Sequence, residues 1–342
     1  MDSWSASTRY RALQHVPRLR SVFGTVDVST AGDSLARPPG RIGQIRYFAG
    51  HGARYARRGL TVREMVGSYD ALLVQRGLYP LGPAMVAQTL RRYEGRVVFD
   101  LDDALFVTRP AIEHKGRAAR WLYGPQQQRL LLRRADAIVV STQALAEMLP
   151  AGARAPVVLP TVPDPARYPI ASHDDERPVV VGWAGTVGGL GYLDSISAVL
   201  ERLRRERLIE VEVISSEPWR PWSTFRRWRL DDETSLFLDF AIGIMPLPDT
   251  PYTRAKAGFK LLQYMAAGLP VVASPVGVNR ELVRDSGAGF LAEGPDEWAQ
   301  ALRELASSAE RRARMGERGR RFVERYADLG GQATTLANLL AP

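Results

Sequence analysis

The 342-residue chain contains no cysteine, which excludes disulfides and thiolate metal sites. Histidine is scarce too. His15, His51, His114 and His173 make no metal-ligand spacing, so no metal is expected, and no cofactor is called for. No apolar run reaches the roughly 20 residues of a membrane-spanning helix. The opening MDSWSASTRYRALQH lacks the apolar centre of a signal peptide, so a cytoplasmic location is the default expectation. Lysine is almost missing: Lys115, Lys256 and Lys260 are the only three among 46 basic residues. One long stretch lacks acid altogether, from Asp249 to Glu281.

The rest of the composition is that of a soluble globular chain, 45% hydrophobic and 24% charged, and its length points to two domains. The net charge of +9 suggests nucleic acid at first sight. The arginines, however, are interspersed with Asp and Glu, and no basic run adjoins exposed aromatics, so nucleic acid is not an expected partner. The densest basic segment, Arg311–Arg325, reads first as a solvated helix face and second as a face for an anionic membrane surface.

Short β-branched runs alternate with helical periodicity. Strands are expected at 26–30, 69–75, 96–103, 135–142 and 156–161, with helices such as 122–134 and 142–149 between them. A proline-rich, charged segment, VPDPARYPIASHDDERP at 162–178, reads as a linker. The alternation then restarts, with strands at 178–185, 209–215, 240–247, 269–274 and 289–293. Helices are expected at about 191–206, 231–239, 257–267, 279–285, 295–307 and 308–326. Such alternation implies two doubly wound α/β domains built on parallel sheets, with a ligand cleft between them. The boundaries read as 1–165, a linker at 166–177, 178–328, and a terminal helix over 329–342 crossing back to the first domain. The chain opens on a helix at about 6–20 where a doubly wound domain opens on a strand. Either that strand is missing or the first sheet is incomplete.

The two neighbouring lysines lie in RAKAGFKLLQYMAAGLPVVAS, at 254–274. A helix begins near Ala257 and stops at Gly268. Its first turn carries Arg254, Lys256 and Lys260 and no acid, although a helix start already holds partial positive charge and favours anions. An anion bound by backbone N–H and ammonium groups accounts for this, with Gly258 allowing close approach. A compact ammonium also suits a cluster of phosphate oxygens better than a guanidinium fork does. The alternative is a surface helix with chance lysines. Gln263, three residues after Lys260, either meets a ribose hydroxyl or is solvated.

Two further stretches carry candidate chemistry. GWAGTVGGLGYL at 182–193 follows a strand, and Gly182, Gly185 and Gly188 have a phosphate-loop or dinucleotide spacing. With Glu217 after the next strand, an NAD-dependent oxidoreductase is one reading. FDLDDALF at 99–106 ends a strand in the first half. Asp100 and Asp102 form a DxD pattern, but the phosphate features lie in the other half, which argues against a metal-dependent DxD site. Asp102 and Asp103 then face a sugar or acceptor, or else cap the next helix. His114 is a weak candidate base.

Together, IGIMPLPDTPYTRAKAGFKLLQYMAAGLPVVASPVGVN (242–279), GWAGTVGG (182–189), DAIVVST (136–142) and MGERGRRFVERYADLGGQATTLANLL (315–340) resemble the family-four retaining glycosyltransferases of the GT-B fold. The resemblance implies two Rossmann-like domains facing across a cleft, a nucleoside-diphosphate sugar (UDP or dTDP) on the second and a small-molecule or saccharide acceptor on the first. It implies retention at the anomeric carbon, a leaving-group oxygen that takes the acceptor proton, and no metal. The diphosphate would lie on Gly185 and Thr186 and on the helix start from Gly258 through Phe259, Lys260 and Leu261. Its charge would be met by Arg254, Lys256 and Lys260. The family's two glutamates are replaced by Ala255 and Gln263, so Gln263 is left to hold ribose and Asp249 becomes the weak candidate for the sugar. A histidine often found near position 102 gives way to the pair Asp102 and Asp103. Length and arginine-rich usage are similar to those of enzymes from antibiotic pathways, which implies a natural-product acceptor; a lipid-linked acceptor at a membrane surface is the other reading.

Overall fold

The computed structural model describes residues 5–29, 59–60, 62–64, 66–78, 83–107, 125–174 and 178–341. His51, His114 and Lys115 lie outside them. The chain divides into two compact units, one made of Met1–Thr161 with Leu329–Pro342 and one of Val162–Asp328.

The first unit holds four parallel strands, β1 (Ala71–Gln75), β2 (Arg96–Leu101), β3 (Ala137–Val140) and β4 (Val157–Val158), in spatial order β1-β2-β3-β4. Val97, Val98 and Phe99 of β2 are completely buried, as continuous apolar runs in a parallel sheet covered on both faces should be. On one face Val98, Ala137 and Val139 pack against Leu19 from helix Val16–Phe23 and against Leu336, Ala337 and Leu340 from the last helix, Leu329–Leu340. Polar contacts hold that last helix in place: Arg96 Nε donates to the Leu339 carbonyl at 2.5 Å and Gln332 Nε2 to the Pro160 carbonyl at 3.1 Å.

The strand expected at 26–30 does not form over its described residues, 26–29. Val26 packs onto the same core, and its carbonyl accepts from the Arg20 guanidinium, at 3.1 Å from NH2. A β-branched run becomes a strand only when a ladder neighbour takes its backbone groups, and here a side chain takes one of them.

The second unit contains β5 (Val180–Ala184), β6 (Glu210–Ser215), β7 (Thr224–Arg227), β8 (Ile242–Met245), β9 (Val271–Ala273) and β10 (Gly289–Leu291), all parallel, in the order β10-β9-β8-β5-β6-β7. Counted within the unit this is 6-5-4-1-2-3, the doubly wound order of dinucleotide-binding domains. Alternation along β5 and β8 sorts the two faces. Val181, Trp183, Ile242 and Ile244 join Leu200 and Leu203 of helix Ser197–Arg205 and Trp298 and Leu302 of helix Pro295–Ala306 in one core. On the opposite face Gly182 and Gly243 leave room for aromatic rings: a Cβ on Gly182 would lie 2.1 Å from the Phe240 ring, and one on Gly243 2.4 Å from the Tyr264 ring. Gly182, counted above as part of a phosphate loop, is therefore a packing glycine within β5.

Two other expectations change. β7, the edge strand, was not anticipated. Its sequence, Thr-Phe-Arg-Arg, has little apolar character, and it follows a helix-free crossover whose Trp219 and Trp222 pack onto the core. Residues 231–239 form successive turns in place of a helix, with i to i+3 bonds such as Ser235 N–H to the Asp232 carbonyl at 2.9 Å. Asp231, Asp232, Thr234 and Ser235 are the residue types that favour such turns.

Candidate functional site

In an open parallel sheet, ligands bind outside the carboxyl ends of the strands where the strand order reverses. In the second unit that point lies between β5 and β8. β5 runs into Gly185 and Thr186. β8 runs into a loop in which Thr250 caps the short helix Pro251–Arg254, its hydroxyl accepting from Thr253 N–H. The chain then enters helix Phe259–Ala266 through Gly258.

Gly258 has φ +64°, and a Cβ there would lie 2.6 Å from Leu282 Cδ1, so both conformation and space require glycine. The helix that follows is apolar and buried from Leu261 to Ala266, which leaves Phe259 and Lys260, both half-buried, at its entrance. The Lys260 ammonium lies 5.3 Å from the centre of the Trp183 ring. A Cβ on Gly185 would come within 2.8 Å of Lys260 Cε. The glycine loop and the lysine, separated by 75 positions of sequence, are therefore in contact. The Tyr264 hydroxyl fixes their relation by accepting the Ala184 N–H at 3.0 Å. Burial pushes the Tyr264 phenol well above its ordinary pKa, so it stays neutral in this role.

The other candidates are arranged differently from the sequence reading. Lys256 places its ammonium 4.8 Å from the Tyr252 ring centre. Arg254 forms a bidentate pair with Asp249, Nε to Oδ1 at 2.5 Å and NH2 to Oδ2 at 2.9 Å. The Arg254 hydrogen bond holds the Asp249 carboxyl below the usual range. Two residues assigned to different parts of the donor thus engage each other. Gln263 is turned inward, 9% exposed, with Nε2 donating to the Tyr168 hydroxyl at 2.9 Å. In a helix buried nearly all round, sharing a face with Lys260 does not bring solvent access. Leu261 contributes no free donor: its side chain is buried and its N–H goes to the Gly258 carbonyl at 2.9 Å.

The first unit presents its own polar cluster at the carboxyl end of β2. Asp100 is buried and bidentate with Arg11, whose Nε reaches both carboxylate oxygens at 2.8 and 3.0 Å. Arg11 also donates to the Leu159 carbonyl and the Thr161 hydroxyl, each at 2.8 Å. This ties the first helix to the sheet. Asp102 accepts from the Ser7 hydroxyl. Arg76, at the end of β1, approaches Asp102 at 3.6 Å and Asp103 at 3.9 Å. Sequence reading missed Arg76, Ser7, Trp183 and Tyr264. An aromatic within an apolar strand or helix looks like core, and nothing local marks an arginine that will meet acids 26 positions away.

Residues 250–322 match the family described as Glycosyl transferases group 1. This segment contains the lysine helix and its entrance. Among solved structures, the chain is similar to Anabaena HepE in complex with UDP and glucose (TM-score 0.63, 16% identity, 90% of this chain and 85% of that one). It is similar also to WaaG, a glycosyltransferase involved in lipopolysaccharide biosynthesis (TM-score 0.59, 16% identity, 96% and 95%). The fold is GT-B. Among curated proteins, the D-inositol 3-phosphate glycosyltransferase of Stackebrandtia nassauensis is 28% identical over 219 residues, 53% of this chain and 48% of that protein. The spore coat protein SA of Bacillus subtilis is 38% identical over 63 residues, 17% of its length. The chain thus spans about half or less of the curated relatives it matches.

Proposed function

We propose that the protein is a retaining glycosyltransferase that moves a sugar from a UDP or dTDP donor to a hydroxyl of a small-molecule acceptor, a natural product. The observation that carries this reading is the meeting of Lys260 with Gly185 at the strand-order reversal, inside the segment that matches the group 1 family. A diphosphate at that point would meet the ammonium of Lys260 and, beside it, that of Lys256, at the entrance of a helix whose first turn has no acid. Cationic groups aimed at the departing diphosphate stabilise the charge that develops as the glycosidic bond breaks. With the donor held on its diphosphate, a leaving-group oxygen on the same face of the sugar takes the acceptor proton, which yields retention. Asp102 and Asp103 orient the acceptor hydroxyl. Gln263 reaches ribose only if the donor displaces its bond to Tyr168.

Thermal shift with UDP, dTDP, GDP and NAD tests the donor class. UDP or dTDP should stabilise the protein and NAD should not; stabilisation by NAD alone would transfer the site to the oxidoreductase reading. Incubation with UDP-sugars, followed by NMR of the product's anomeric proton, then reports turnover and stereochemistry.

A further inference from the structure

Arg76 is one of two non-glycine residues with positive φ among the described residues, at +64°. The other, Arg207, closes helix Ser197–Arg205, a usual place for such a residue. Arg76 has no such excuse. It lies at the carboxyl end of β1 and is pinned on both sides: its N–H donates to the Asp100 carbonyl at 2.9 Å, and its carbonyl accepts from Gln128 Nε2 at 3.2 Å. An unfavourable backbone conformation persists only where its surroundings enforce it, and such residues cluster where geometry serves function. The side chain is not placed for tight pairing either. NH1 donates to the Ser7 hydroxyl at 3.0 Å. Nε and Asp102 Oδ1 face each other at 3.6 Å, and both are buried without a hydrogen-bond partner among the described residues. Asp103 is 3.9 Å away. A strained backbone and long ion pairs are a poor way to stabilise a fold.

We infer that Arg76 is a positioning residue that holds Asp102 and Asp103 together at the end of the first sheet, where they receive a neutral, hydroxyl-bearing acceptor. This rests on the acceptor role given to those aspartates above. The charge balance names the class. Asp100, Asp102 and Asp103 face Arg11 and Arg76, so one negative charge is in excess, and a phosphate or carboxylate on the acceptor is repelled there. The arginine keeps two adjacent carboxylates ionised in one place, and both are half-buried with oxygens that accept from hydroxyls.

The test uses saturation-transfer NMR with methyl α-D-glucopyranoside, methyl α-D-mannopyranoside and their 6-phosphates, with UDP as a separate probe. The wild-type chain should give signal from at least one neutral glycoside and weaker signal from its 6-phosphate. Arg76→Gly, which relieves the backbone, should melt within about 2 °C of wild type or higher, keep UDP affinity within about twofold, and lose at least about fivefold of the glycoside signal. Arg76→Lys should recover part of it. The inference is overturned by a wild type that gives no signal from either neutral glycoside, by equal signal from the phosphates, by undiminished signal in Arg76→Gly, or by a melting point lowered more than about 5 °C, which would make Arg76 a structural tie. Failure of UDP to bind the wild type would instead remove the donor reading, because UDP addresses only the second unit.

Discussion

At the carboxyl end of the first sheet, Asp100, Asp102 and Asp103 gather around Arg11 and Arg76. At the carboxyl end of the second, Lys256 and Lys260 enter a helix with no acid in its first turn. Both ends are built alike, from parallel strands that release the chain into loops where one layer of backbone is left open. Architecture therefore places a site in each unit, and side-chain charge decides what each accepts: a neutral, hydrogen-bonding group in the first and an anion in the second. The two also differ in completeness. The acids are largely matched by arginines in the chain itself, whereas a cation at a helix start opposes the helix's own field and gains only when an anion arrives.

Removing that cation should break the contrast most sharply. Lys260→Ala is expected to weaken UDP binding about 30- to 100-fold by calorimetry, the size of a charge-assisted contact of about 2–3 kcal/mol, while Lys115→Ala leaves it unchanged. Equal losses in the two would end the phosphate role. Next in size is a pH effect confined to the first unit. His15 is 2% exposed, and burial, with Arg11 and Arg18 nearby, lowers its pKa to about 4. Its unfolded value is about 6.5. The unfolded chain therefore binds the extra proton first, and stability present above pH 6.5 is lost as pH falls toward 4. Urea melts of the first unit's transition should show a drop of about 2 kcal/mol between pH 7.5 and pH 5, and His15→Gln should flatten it. A slope that persists in this variant would assign it elsewhere.

Smaller effects should separate the two ends further. Asp102→Asn and Asp103→Asn are expected to lower turnover about tenfold with UDP affinity intact, as loss of an acceptor-orienting contact would. Wild-type turnover in both variants would empty the first site of its role. Arg254→Ala should change UDP affinity by less than about threefold, because its guanidinium is already committed to Asp249 in an exposed pair. A loss as large as that for Lys260→Ala would show that the pair opens for the donor.

Much of this was legible in sequence because the deciding forces are local. The apolar run through β2 and the alternation along β5 and β8 announce buried strands whatever surrounds them. Gly258 before an acid-free helix start announces an unusual entrance. What was not legible depends on distant partners. Val26 looks like a strand residue until its carbonyl is taken by Arg20. Gln263 looks like a surface neighbour of Lys260 until the helix is seen buried around it, with Tyr168 waiting. Arg254 and Asp249 look like two ligands for one donor until they bond to each other. Arg76 carries no signal at all, since positive φ is announced by glycine and not by arginine.

The hydroxyl of Tyr264 ties the last residue of β5 to the lysine helix from inside the core. Loop and ammonium are therefore registered before any nucleotide arrives, and the entropy of assembling them is spent at folding and not at encounter. A cradle so preorganised should select by shape and charge with little adjustment in its own unit. Whatever rearrangement accompanies turnover then falls to the parts of the chain that the phenol does not hold.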